Sequence, residues 1–123
     1  MAVTFKLENV VREWEIGMFV AQAEVKTDKA AAYLVQLCKH FAHKASAQYD
    51  DSQGRVDFQP GLCVMRARGD ELTLRCEAAS EQILDRVKLV VGDHLVRFAW
   101  REELAVTWVT GAKGATEVAL SLR

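Results

Sequence analysis

The sequence predicts an α+β domain, two helices packed on one face of a mostly antiparallel sheet, in the order β-α-β-β-β-β-α-β. Three observations lead there. Apolar residues alternate with polar ones in several short runs, and they recur at about 100° per residue in two longer runs. The short runs are joined by turn-forming clusters, among them Asp50-Asp51-Ser52-Gln53-Gly54 and Arg68-Gly69-Asp70.

Residues 19–25 put Phe19, Ala21, Ala23 and Val25 on one side, the pattern of a half-buried strand. Thr27 offers an N-cap hydroxyl and Asp28 a charge suited to the positive end of a helix, so a helix is expected to open there. Over residues 30–44, Ala30, Ala31, Leu34, Leu37, Cys38 and Phe41 share one stripe, while Tyr33, Gln36, His40 and His43 lie on the side turned away. Cys38 therefore points into the core, away from both histidines.

A short strand ending at Tyr49 and a run over residues 55–58 form a hairpin, and Gln59-Pro60-Gly61 is a second turn. Residues 62–67 and 71–78 make two more strands, the second burying Leu72, Leu74, Cys76 and Ala78. Ser80 caps a second helix that reaches Trp100 or Arg101, with Ile83, Leu84, Val87, Val91, Leu95 and Phe98 in its stripe. Gly92 inside that helix costs about 1 kcal/mol against alanine, so a close neighbour or a kink is expected there.

Residues 104–109 read as the following strand, and Gly111-Ala112-Lys113-Gly114 turns into a last one over residues 117–122. Residues 3–16 read as a strand or hairpin. Phe41-Ala42-His43-Lys44 and Phe98-Ala99-Trp100-Arg101 echo one another at the two helix ends, which a duplicated β-α-β unit would explain.

Length and composition point to one domain over residues 1–123, since 123 residues, half of them apolar, suffice for a single core. Basic and acidic residues number 16 and 17 and are spread along the chain, so no electropositive face for nucleic acid is expected. The N-terminus alternates apolar and charged residues, unlike a signal peptide, and no apolar run is long enough for a membrane span. Three cysteines without CxxC spacing read as reduced, buried thiols of a cytoplasmic protein.

Four groups of side chains are candidates for function. His40 and His43, three apart on one side of the first helix, are close enough for both imidazoles to reach one metal ion or one anionic ligand. His94 falls on the core side of its helix, where its ring N–H needs a partner. The expectation is a mostly buried ring bonded to a backbone carbonyl, or engaged with a ligand.

Arg97 and Arg101, one turn apart, could make a small anion site with Lys44, and cations are in any case favourable at helix C-termini. Trp100 and Trp108 would anchor the core or a dimer interface. Cys38, Cys63 and Cys76 have no base placed beside them and read as packing thiols. No P-loop, GxGxxG, HExxH, GxSxG or EF-hand pattern occurs, and no pattern identifies a cofactor.

The strings TDKAAAYLVQLCKHFAHK, YDDSQGRVDF, VVGDHLVRFAWRE and VTW together resemble the bacterial family catalogued as domain of unknown function 2218, over residues 19–108. Residues 1–18 and 109–123 are terminal extensions to that pattern. The resemblance implies a small stand-alone bacterial protein, found in settings concerned with siderophores and iron uptake, with no established activity.

Three functions follow as expectations. The first is a non-enzymatic accessory factor linked to iron or siderophore metabolism, binding a metal or small molecule through His94, His40, His43, Arg97 and Arg101, with His40 and His43 as the metal pair. The alternative is a homodimeric interaction module in which a sheet edge or a tryptophan-bearing face is covered by its twin. The third is a small enzyme with His94 or His40 as acid or base.

Overall fold

The computed structural model describes residues 19–110, which form β1 (Phe19–Lys26), α1 (Ala30–Phe41), β2 (Ser46–Tyr49), β3 (Gln53–Asp57), β4 (Leu62–Arg68), β5 (Glu71–Ala78), α2 (Glu81–Phe98) and β6 (Val109–Thr110). The predicted α+β architecture and element order are those found. The readings for residues 3–16 and 117–122 fall outside the described residues.

The strands make one six-stranded sheet in the order β2-β3-β4-β5-β1-β6, each neighbouring pair antiparallel. It follows that β1 runs parallel to β2, and β5 parallel to β6. The first helix carries the chain from β1 past three strands to one edge, and the second carries it from β5 past β1 to the other edge. These crossovers travel in opposite lateral directions from strands of opposite sense, so one common hand places both helices on the same face. The echo at the helix ends reflects two such crossovers, but they span different numbers of strands.

On the helix side of the sheet, alternation brings Ala21, Ala23 and Val25 of β1 beside Cys76, Leu74 and Leu72 of β5. Cys63 and Met65 of β4 continue the same layer to Val56 of β3. All of these are buried, and Leu34, Leu37 and Cys38 of α1 with Val91 and Leu95 of α2 close over them. Cys63 and Cys76 oppose one another directly, and all three cysteines are free and buried. A hydrogen bond between those two thiols, together with burial, raises the Cys63 pKa well above the usual thiol range. Burial pushes Cys38 up to about 12, and its Sγ lies 3.9 Å from the Met65 sulfur. All three are packing thiols, and Cys38 and Cys63 are held in the unreactive protonated form.

Gly54 is required by this packing. A Cβ there would stand 2.7 Å from the Cys38 sulfur and 3.1 Å from the Tyr49 Cβ, so only glycine lets α1 lie so close to β3. On the opposite face of the sheet, Arg75 and the almost wholly buried Glu77 form an ion pair at 2.8 Å.

Several local expectations are corrected. The first helix opens two residues later than Thr27 suggested, with Lys29 at the N-cap position and no side-chain cap. The Thr27 hydroxyl instead accepts from the Lys29 N–H and donates to Glu102 at 2.9 Å. Tyr33, placed on the polar side by the wheel, is 7% exposed, and its hydroxyl donates to the other Glu102 oxygen. This network spans the start of α1 and the turn after α2. Burial and the bond to Glu102 push the Tyr33 pKa up to about 12, while the bonds from Tyr33 and Thr27 hold the Glu102 carboxyl below its usual range.

The second helix is capped as expected, the Ser80 hydroxyl accepting from the Ile83 N–H at 3.2 Å. It ends at Phe98, short of Trp100 and Arg101. Residues 104–108 are not a strand; only Val109 and Thr110 pair with β1. The intervening segment lies against α2, with the Trp108 ring 3.6 Å from where a Gly92 Cβ would be. That is ordinary contact distance, so the neighbour is present but does not itself require a glycine.

Candidate functional site

The histidines meet where the C-terminal halves of the two helices converge. His40 stands on the last turn of α1 and His94 one turn before the end of α2, and their ring centroids are 4.6 Å apart with planes tilted by 40°. Phe41 packs edge-on against His94 at 5.2 Å and Phe98 against His40 at 5.6 Å. Phe58, delivered by the loop after β3, completes the cluster against Phe41 at 5.1 Å.

His94 is partly buried, and its Nδ1 lies 2.7 Å from the Val90 carbonyl oxygen, one turn back on its own helix. A carbonyl can only accept, so Nδ1 carries a proton and Nε2 is not engaged by this bond. The backbone partner expected for this ring is therefore present. His40 is exposed at its edge but has one face against His94. Lost hydration comes first among the causes that hold its pKa below the usual imidazole value; the positive charge of His94, His43, Lys44 and Arg97 follows. Imidazole nitrogens are donors that suit a transition metal.

The remaining candidate residues divide. His43 lies beyond the end of α1, in a turn where its N–H bonds to the His40 carbonyl at 3.3 Å, and it is near enough to act on the His40 ring. The ring packed against His40 is that of His94. Arg97 stays on α2 beside the pair and is bonded to Asp93 at 3.3 Å. Arg101 lies past the end of α2, its guanidinium 4.7 Å from the centre of the exposed Trp100 ring. It is not one helical turn from Arg97 in an anion site, because the helix has ended.

The aromatic frame was missed in the sequence, and so was the juxtaposition of His40 with His94. The one available signal was that both helices end in Phe-Ala, with His40 next to one phenylalanine and His94 four before the other. Among the described residues no group of three or more metal-ligating side chains occurs, so a metal here would need donors from elsewhere. No helix among them is long and apolar enough to cross a membrane.

Fold and site together define a small α+β module with an imidazole pair framed by phenylalanines at the helix ends. Residues 22–109 match the family described as an uncharacterized protein conserved in bacteria (DUF2218). The chain belongs to that family. Its fold is also similar to the NMR structure of PA4090 from Pseudomonas aeruginosa, with 33% identity and a TM-score of 0.65 over 74% of this chain and 95% of that one. A search of curated proteins finds no match.

Proposed function

We propose that this protein is a non-enzymatic, cytoplasmic accessory factor that binds a metal ion already held in an anionic chelate, with His40 and His94 as its nitrogen donors. The observation that carries the reading is the 4.6 Å separation of the two rings. With metal–nitrogen bonds of about 2.0–2.1 Å, two imidazoles on one ion have centroids roughly 4.5 Å apart at a right angle and roughly 5.2 Å apart at the tetrahedral angle. The observed value is close to the right-angle figure.

Two imidazoles leave four positions of an octahedron for oxygen donors, so the ligand class is a chelate with two open sites, such as a citrate or bis-catecholate complex. A negative chelate also suits the positive charge of Lys44 and Arg97 near His40. Iron and siderophore metabolism is the setting that this chemistry and the family resemblance favour. Free, buried cysteines accord with a reducing compartment.

The test is titration with cobalt(II), read by its d–d absorption, and with ferric citrate, read by calorimetry. Saturable binding of one equivalent is expected, lost by at least about tenfold in His40→Ala and His94→Ala and retained in His43→Ala. Failure of both probes to bind, or binding that the two alanine variants leave unchanged, removes the reading.

A further inference from the structure

The sheet face turned away from the helices is shielded from water at one end. In the row that crosses the sheet where β1 begins, Val20 stands beside Glu77 and Glu77 beside Leu62, and these residues are 3%, 1% and 4% exposed. The next row, Gln22, Arg75, Val64 and Arg55, is half-buried, and in the row after it Glu24 and Arg66 are exposed. An antiparallel sheet with helices on one side leaves its other face in water. A carboxylate as deep as that of Glu77, even one paired with Arg75, gives up its hydration only under a cover.

No described helix or strand supplies that cover. Both helices lie on the other face, and the loops at this end of the sheet turn toward them. Phe58 packs on Phe41, Gly61 lies against Val87 of α2, and Ser80 caps the same helix.

We infer that residues 1–18 of this chain cover the face, laying an apolar stripe over Val20, Leu62 and Val64. The connection fixes the place: the segment joins β1 at Phe19, next to the buried row, and the shielding is deepest there and fades along the strands. The segment also has the stripe. Alongside the alternation that reads as a strand, Leu7, Val10, Val11 and Trp14 recur at i, i+3, i+4 and i+7, the spacing of one helix face, and Gly17 stands where such a helix would stop. Residues 6–16 as a helix would be about 16 Å long, enough to cross β4, β5 and β1, whose outer two axes are about 10 Å apart. Glu8 and Glu15, seven apart, border the stripe on one flank and suit the guanidinium groups of Arg55 and Arg66. The segment lies outside residues 22–109, which match the family, so this third layer is an addition to the family fold. The inference does not rest on the histidine site.

NMR of the full chain tests it. An isotope-edited NOE spectrum should show cross-peaks from the Trp14 indole to the methyl groups of Val20, Leu62 or Val64. Those peaks should be absent from the isotope-filtered spectrum of a mixed labelled and unlabelled sample, which reads only contacts between copies. Trp14→Asp and Val11→Asp should each lower the urea midpoint of unfolding and shift the amide resonances of Val20, Val64 and Glu77. Asn9→Asp, on the side opposite the stripe, should do neither. Absence of any cross-peak between Trp14 and this face overturns the inference, as does a cross-peak seen only between copies, which would make the cover a second molecule. A Trp14→Asp chain that unfolds at the wild-type urea midpoint overturns it too.

Discussion

The two helices lie on the same face of the same sheet, yet they are finished differently. The shorter, α1, buries Ala30, Tyr33, Leu34, Leu37, Cys38 and Phe41, and the sheet beneath it gives way at Gly54 to let it approach. The longer, α2, buries Leu84, Val87, Val91 and Leu95 but leaves Leu89 and Val96 in solvent, and its glycine faces away from the sheet, toward Trp108. In α1 the missing side chain serves the chain's own core, whereas in α2 it shapes an outer groove. An amphipathic stripe satisfied at home is structural; apolar residues beyond that stripe are free for another use.

The largest effect should separate the two faces directly. Leu34→Ala, in the sealed region under α1, should lower unfolding free energy by about 3 kcal/mol. Leu89→Ala should change it by less than about 0.5 kcal/mol. Urea denaturation of both variants at low protein concentration checks this, and an equal loss in both would abolish the contrast.

The two glycines should respond with opposite sign. Gly54→Ala forces a methyl to 2.7 Å from the Cys38 sulfur and should cost about 2 kcal/mol. At Gly92 a methyl would meet Trp108 at ordinary contact distance, so Gly92→Ala should gain up to about 1 kcal/mol from helix propensity. Thermal melts of the two variants read both effects.

Capping sharpens the comparison on a smaller scale. Ser80→Ala removes the hydroxyl that accepts from the Ile83 N–H and should cost about 1 kcal/mol. Lys29→Ala, at an N-cap with no side-chain bond, should be nearly silent. Chemical denaturation resolves the difference.

The smallest effects concern pH. His40 has a depressed pKa when folded, so its contribution is present above the unfolded value of about 6.5 and is lost as pH falls through the folded value. Unfolding free energy should therefore drop on acidification below neutrality, and His40→Asn should flatten that part of the profile. Tyr33 has the opposite sign: its pKa is raised to about 12, so its contribution is present below about pH 10 and is lost as pH rises through the folded value. Tyr33→Phe should remove the alkaline transition, measured by denaturation at graded pH.

The hairpins and both helices were legible because their signals are local: period-two runs ending at Asp50-Asp51-Ser52 or Gly69-Asp70, and a serine before the second stripe. In the first of these turns Asp50 Oδ1 accepts from the Ser52 and Gln53 N–H groups at 2.8 and 2.9 Å, interactions that the residue types themselves prescribe. The helix ends were less legible, since His43 and Lys44 continue the pattern of α1 but sit in a turn bonded back to His40 and Phe41. Residues 104–108 alternate like a strand because one side of the segment packs on α2, and burial without pairing leaves the same signature. Tyr33 looked polar because its partner, Glu102, lies 69 residues further on. A helical wheel located each histidine on its own helix, but the phase between the wheels belongs to the packed fold. That is why the contact between the His40 and His94 rings was not legible on either wheel.

The place of β1 in the sheet also dictates an order of events during synthesis. Its partners are β5 and β6, whereas β2 through β5 form an uninterrupted meander of sequential neighbours. The meander can zip locally, hairpin by hairpin, but β1 leaves the ribosome ahead of every other described element and must wait until Glu71, the partner of Lys26, is available to begin pairing. During that interval Phe19, Ala21, Ala23 and Val25 form an apolar ribbon with no partner. The polar Gln22, Glu24 and Lys26 alternate with them, and such residues on a waiting edge discourage pairing between nascent chains. The strand that ends up between its two partners in the finished sheet is thus the one most exposed to misassembly while the protein is being made.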